Sequence, residues 1–274
     1  SSGRARRPEP IPSVYIERND PANDWITMQD SVQVVFGATG ASGAALCTRL
    51  AAGGAQVIAV GRDEQKLSEL GSTGVVARTV LADCTEFGSV EAAVSETVAD
   101  FGRIDGVANM VGSLLLKPAH TTSAEDWQRV IEVNLTSAFA VLRAAAKVMS
   151  RAEQGGAVVL VSSAAARTGL ANHDAIAAAK AGVIGLTLSA ASTYGPRGVR
   201  VNAVAPGLVE TPMTERIWSS AASLAASVGM HALGKIGQPD DVAAAIYFLL
   251  DPANGWITGQ VLGVDGGLGT VRAR

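Results

Sequence analysis

Three glycines at intervals of three, Gly37, Gly40 and Gly43, follow the apolar run Val32 to Phe36 and open the Ala-rich stretch Ala41 to Ala52. A glycine triad alone says little. A strand, a glycine turn and a helix in succession can take a dinucleotide pyrophosphate: glycine lets the backbone come close, and the helix N-terminus offers N–H groups with no internal partner. Gly37, Thr39, Gly40, Ala41, Ser42 and Gly43 are therefore the candidate phosphate cradle. The alternative is a packing turn without a ligand. The next apolar run ends Val60-Gly61-Arg62-Asp63. NAD-preferring sites place a carboxylate at this strand end, on the ribose 2′-hydroxyl. Here Gly61 stands there and Arg62 follows. A guanidinium matches a 2′-phosphate and stacks on adenine, so NADP(H) is favoured, with NAD(H) possible. The competing reading is a surface arginine paired with Asp63 or Glu64.

A second group lies in Asn172-His173-Asp174-Ala175-Ile176-Ala177-Ala178-Ala179-Lys180. Positions 173, 176 and 180 share one face of a predicted helix over 173–193. Side chains lean toward a helix N-terminus, which carries His173 away from Lys180. His173 is thus a candidate acid whose plainer role is to cap the helix or face solvent. His120 and His231 are more remote candidates, and Tyr194 lies too far along the helix.

The elements needed to position these residues are legible from residue 32 onward. Predicted strands cover 32–36, 57–60, 75–81, 104–108, 158–161, 199–204 and 261–264. Helices are expected over 41–52, 63–70, 86–101, 124–149, 173–193 and 239–250, with a loop-helix excursion over 207–233. Alternating short apolar strands and helices imply an α/β fold, a single-domain, doubly wound parallel sheet of about seven strands. The 274 residues, 48% of them hydrophobic, suffice for one large core. A formal charge of -3 gives no basic field for nucleic acid. Cys47 and Cys84 stand apart without a Cys/His cluster, which argues against a disulfide scaffold and against a metal site. No transmembrane segment is expected: the apolar stretch Val183 to Ala191 is interrupted by Gly185, Thr187 and Ser189. Residues 1–30 read as an extension and 31–274 as the domain. Arg4, Arg6 and Arg7 with one acid, Glu9, suit either a transit-peptide remnant or a docking tail for a hetero-complex. The compartment expected is cytoplasmic or organellar.

Taken together, Asn109-Met110-Val111-Gly112, Val133-Asn134-Leu135-Thr136, Ser162-Ser163, the 172–183 segment, Val201 to Pro212 and Val264-Asp265-Gly266-Gly267 resemble the short-chain dehydrogenase/reductase family over about residues 32–268. The resemblance implies a Rossmann fold and an oxidoreductase. By it, Asp83 meets the adenine amino group, Asn109 and Gly112 shape the cofactor face, and Pro206, Gly207 and Thr211 hold the nicotinamide. It also implies that Asn134 holds a water of a proton relay, a structural asparagine being the equal alternative. Ser163, thirteen residues before position 176, would bond the substrate carbonyl oxygen, and Lys180 the nicotinamide ribose. The chain departs from the family where it matters most: Tyr-x-x-x-Lys is the family pattern, and Ile176 stands at the tyrosine. Phe36 and Ala41 also replace the threonine and middle glycine of TGxxxGxG.

Three outcomes follow. One is an NADP(H)-dependent enzyme acting on a carbonyl or alcohol, with a water, His173 or the substrate supplying the proton. Another is reduction of an activated C=C bond. The third is a cofactor-binding subunit or scaffold without turnover. Met213, Trp218, Met230 and Leu233 form a candidate apolar substrate wall. Family helices of this kind pair across a two-fold axis, so a homodimer or homotetramer is expected.

Overall fold

The computed structural model describes residues 28–271. Seven parallel strands form one sheet in the order β3-β2-β1-β4-β5-β6-β7. They are β1 (Val32–Phe36), β2 (Gln56–Gly61), β3 (Arg78–Leu81), β4 (Gly106–Asn109), β5 (Gly156–Val161), β6 (Val199–Pro206) and β7 (Val261–Val264). The chain winds outward from β1 to β3, then crosses back to lay β4 on the other side of β1. That reversal opens a crevice beyond the strands' C-terminal ends, where ligands of open α/β sheets bind. β1 is buried along its whole length, as a central parallel strand must be.

Helices cover both faces. On one lie α1 (Ala41–Ala52), α2 (Glu64–Ser72) and α9 (Pro239–Leu250), whose Leu46, Leu50, Leu67, Ile246 and Leu250 meet Val35, Val57 and Val159. On the other lie α3 (Phe87–Phe101), α5 (Ser137–Met149) and α6 (Asp174–Tyr194), with Val90, Val141, Met149 and Val183 against Phe36, Ile58 and Leu160. Met28 joins the first of these cores, so the ordered packing begins before residue 31. The organellar and docking expectations rest on residues 1–27 and lie outside the described residues.

Two expectations needed correction. The third strand starts at Arg78 rather than 75, because Gly74 turns with φ +72 and Ala77 N makes the bond onto Val57 that opens the pairing. The helix over 124–149 is α4 (Ala124–Ile131) and α5, joined by a π-helical turn at Glu132–Thr136. The apolar pattern runs through that turn without a break, so periodicity does not reveal it. Residues 174–197 alone among the described helices are long and apolar enough to span a membrane by composition; α6 and its C-terminal turn pack alongside β5, β6 and α4. The excursion forms α7 (Glu215–Trp218) and α8 (Ala221–Met230).

Candidate active site

The turn after β1 is built from glycines because nothing larger fits. Gly37 has φ +76, and a Cβ there would lie 2.9 Å from the Met110 carbonyl carbon and the Val111 nitrogen. A Cβ on Gly43 would collide with the Gly37 carbonyl oxygen. Gly40 differs: its Cβ position meets only the Gly37 oxygen, at 3.5 Å, so its outer side faces open space. It precedes α1, which has no capping side chain and no acid in its first turn. This helix start, bearing Ala41 and Ser42, therefore presents its N–H groups unshielded.

A cleft of about 360 Å³ runs from there. Gly37, Thr39, Gly40, Arg62, Asp83 and Gly112 line it, six of the residues singled out from sequence. Lys66, from the first turn of α2, lines it too and was missed, although its spacing from Arg62 offered the signal. Lys66 also lies 3.7 Å from the Asp63 carboxylate, whose other oxygen caps α2 by accepting from Lys66 N. The Asp83 carboxylate accepts from both the backbone N and Oγ1 of Thr85, at 2.9 and 2.8 Å. These bonds hold its carboxyl below the usual range, with Arg62 and Arg129 adding smaller pulls. Open glycine backbone, a bare helix start and two cations beyond the second strand suit a nicotinamide dinucleotide with its phosphates at Gly40.

At Gly112, which lines the cleft, Asn109, Asn134 and Lys180 come close to one loop. Asn109 ends β4, and its Oδ1 accepts from Val111 N at 3.1 Å, which shapes the turn to Gly112. A Cβ on Gly112 would lie 3.2 Å from Asn134 Oδ1 and 3.6 Å from Lys180 Nζ, so both groups sit immediately behind it. Asn134, in the π-helical turn, is buried; its Oδ1 accepts from Ser113 N and its Nδ2 donates to Ser113 Oγ and Val130 O. It thereby ties the loop after β4 to the helix. Lys180 is buried and donates to Val161 O at 2.8 Å; burial pushes its ammonium down from the usual 10.5 to about 8. Ser162 turns inward and donates to Lys180 O. Ser163 is half-buried, and its Oγ accepts from Ala165 N at 3.1 Å, which leaves its own proton to give.

Ile176 lies one turn before Lys180, buried among Val130, Ala175 and Ala179, with Leu115 and Leu135 against the cluster. His173 is the residue before α6, and its Nδ1 donates to Ala171 O at 2.7 Å, so the ring is turned back onto its own loop. Pro206 pairs with Val264 at the end of β6, Gly207 N donates to Val264 O, and the Thr211 hydroxyl pairs with Thr214. Met213, expected in a substrate wall, lines the same cleft as Gly40 and Arg62. Leu233 faces a separate cavity of about 550 Å³, because its backbone N donates to Gly266 O and draws the turn toward the C-terminal strand.

A glycine-lined crevice at the reversal of a doubly wound sheet, with Lys180 behind Gly112, has the form of a dinucleotide-dependent oxidoreductase. Comparison with known proteins gives the family. The model described as enoyl-(acyl carrier protein) reductase matches residues 37–269. The chain is 37% identical over 258 residues to the short-chain reductase protein NovJ of Streptomyces niveus, covering 90% of this chain and 97% of that one. It is 35% identical over 244 residues to D-threitol dehydrogenase of Mycolicibacterium smegmatis, covering 88% and 93%. A short-chain type dehydrogenase/reductase from Mycobacterium ulcerans superposes with a TM-score of 0.85 at 32% identity, over 90% of this chain and 93% of that one. The chain belongs to the short-chain dehydrogenase/reductase family of oxidoreductases, whose members bind NAD(P)(H) and act on carbonyl or alcohol groups.

Proposed function

We propose that this protein is an NADP(H)-dependent reductase of a carbonyl substrate, or the reverse dehydrogenase, whose proton donor is not a tyrosine. The observation that carries this reading is Ile176 itself, one turn before Lys180 on α6 and buried among Val130, Ala175 and Ala179, where the family pattern has a tyrosine. The nicotinamide supplies the hydride when bound. Arg62 and Lys66 would hold the 2′-phosphate, Gly40 and the start of α1 the pyrophosphate, and Lys180 the ribose. Asp83 would meet the adenine, with Asn109, Gly112, Pro206, Gly207 and Thr211 shaping the nicotinamide end. Ser163 donates a hydrogen bond to the substrate oxygen as negative charge develops there. Ile176, buried among Val130, Ala175 and Ala179, gives no proton, so the final proton comes from solvent. Asn134 is a clamp on the loop after β4, and His173 stays outside the reaction.

The test is twofold. Titration with NADPH and NADH should show tighter NADPH binding, and a panel of simple ketones should be reduced slowly, with Ser163→Ala removing that activity. Nucleotide binding with no turnover of any carbonyl would favour the scaffold reading instead. The exposed Phe87–Phe139 ring pair on α3 and α5 (centroids 6.0 Å apart), Leu188 on α6 and the fully exposed Trp256 support a homo-oligomer.

A further inference from the structure

His231 is buried, with 3% of its surface exposed, yet the reaction has no use for it. Its Nδ1 lies 2.6 Å from Ser227 O, at the end of α8, and its Nε2 accepts from Leu208 N at 3.2 Å. A carbonyl only accepts and a backbone N–H only donates. The two bonds therefore require a hydrogen on Nδ1 and a lone pair on Nε2, the neutral ring in one tautomer. Among the described residues no carboxylate lies within ion-pair distance of the ring.

The neighbours on the ring's other sides are as constrained. A Cβ on Gly207 would lie 2.6 Å from Nε2, and one on Gly266 would lie 3.5 Å from the methylene Cβ and the ring Cδ2 of His231. Gly207 is thus a glycine partly because His231 fills the space beside it. Gly234 N donates to His231 O, and Leu233 N to Gly266 O, so the turn itself is stitched to the C-terminal strand. Three elements meet at one imidazole: α8, the backbone after β6, and the turn after β7.

We infer that His231 is a positioning residue, which locks the helical excursion over 211–230 to the Gly207–Leu208 backbone and so sets the floor under the nicotinamide. This rests on the reading that Pro206, Gly207 and Thr211 face that ring. A single side chain that accepts on one side and donates on the other couples α8 to the backbone after β6, where an aliphatic residue would only fill volume.

Two conservative variants separate the bonds. In His231→Gln the amide oxygen reaches the place of Nε2 and can accept from Leu208 N. In His231→Asn the amide nitrogen takes the place of Nδ1 and reaches Ser227 O only. His231→Ala removes both. NADPH dissociation constants from fluorescence titration of the full chain are expected within about threefold of wild type for the glutamine variant. The asparagine and alanine variants are expected to lose roughly tenfold, the factor for about 1.4 kcal/mol, as one lost hydrogen bond gives. Nitrogen-15 histidine spectra of the wild type should show the Nδ1–H tautomer, and the Leu208 amide should exchange faster in the asparagine variant alone of the two. Equal NADPH binding by all variants, or an asparagine variant that outperforms glutamine, overturns the proposal. A wild type that binds neither NADPH nor NADH removes the cofactor reading instead. In that case the tautomer and the Leu208 exchange rates still decide whether the lock exists: an Nε2–H ring, or Leu208 exchange unchanged in the asparagine variant, refutes it.

Discussion

Lys180 holds its charge at a cost to folding, and Lys180→Met should reveal how much. Burial lowers the ammonium from 10.5 to about 8. That difference of 2.5 units, at 1.36 kcal/mol each, amounts to about 3 kcal/mol of penalty at neutral pH, where the folded chain must keep a desolvated cation. The sign follows from proton counts. Between about pH 8 and 10.5 the unfolded chain binds this proton and the folded chain does not. Wild-type stability therefore rises with pH across that window, and the penalty is in full force below it. Methionine removes the penalty but also the bond to Val161 O, worth about 1 kcal/mol. Net, Lys180→Met should be more stable than wild type by about 2 kcal/mol at pH 7, with the advantage shrinking and reversing toward pH 10. Urea unfolding of both chains without nucleotide, at pH 7 and 9.5, measures this. A difference that does not change with pH, or a methionine variant weaker than wild type at pH 7, would refute the claim that burial governs this lysine.

Arg62→Ala should weaken NADPH binding by about 1–3 kcal/mol and leave NADH nearly unchanged, as calorimetry with both nucleotides would report. Ile176→Tyr should raise ketone reduction by as much as ~10²–10⁴-fold in steady-state assays, the scale of a positioned general acid, since Lys180 already stands one turn away; no gain would mean that the surrounding Val130–Leu135 packing holds the phenol out of line. Gly43→Ala should cost at least about 2 kcal/mol in urea unfolding, because its Cβ would overlap the Gly37 carbonyl, and should weaken pyrophosphate binding with it.

Periodicity and punctuation carried the architecture. β1, α1, α9 and β7 begin and end where the apolar runs and the flanking glycines and prolines place them, since local pattern and tertiary packing agree there. The glycine-lined cleft was legible for the same reason: a strand, a glycine turn and a helix are contiguous in the chain, so their geometry is local. That Ile176 and Lys180 stand one above the other on α6 was visible because one helix turn sets their spacing. What only the tertiary structure decided were contacts between distant segments. Asn134 meets Ser113 through a π-helical turn that no apolar period records. Lys66 joins Arg62 because α2 folds back over the end of β2. His231, 23 residues beyond Leu208, becomes a two-sided bond between α8 and the backbone after β6. A histidine's donor and acceptor roles depend on what surrounds each ring nitrogen, and chain order alone does not specify those neighbours.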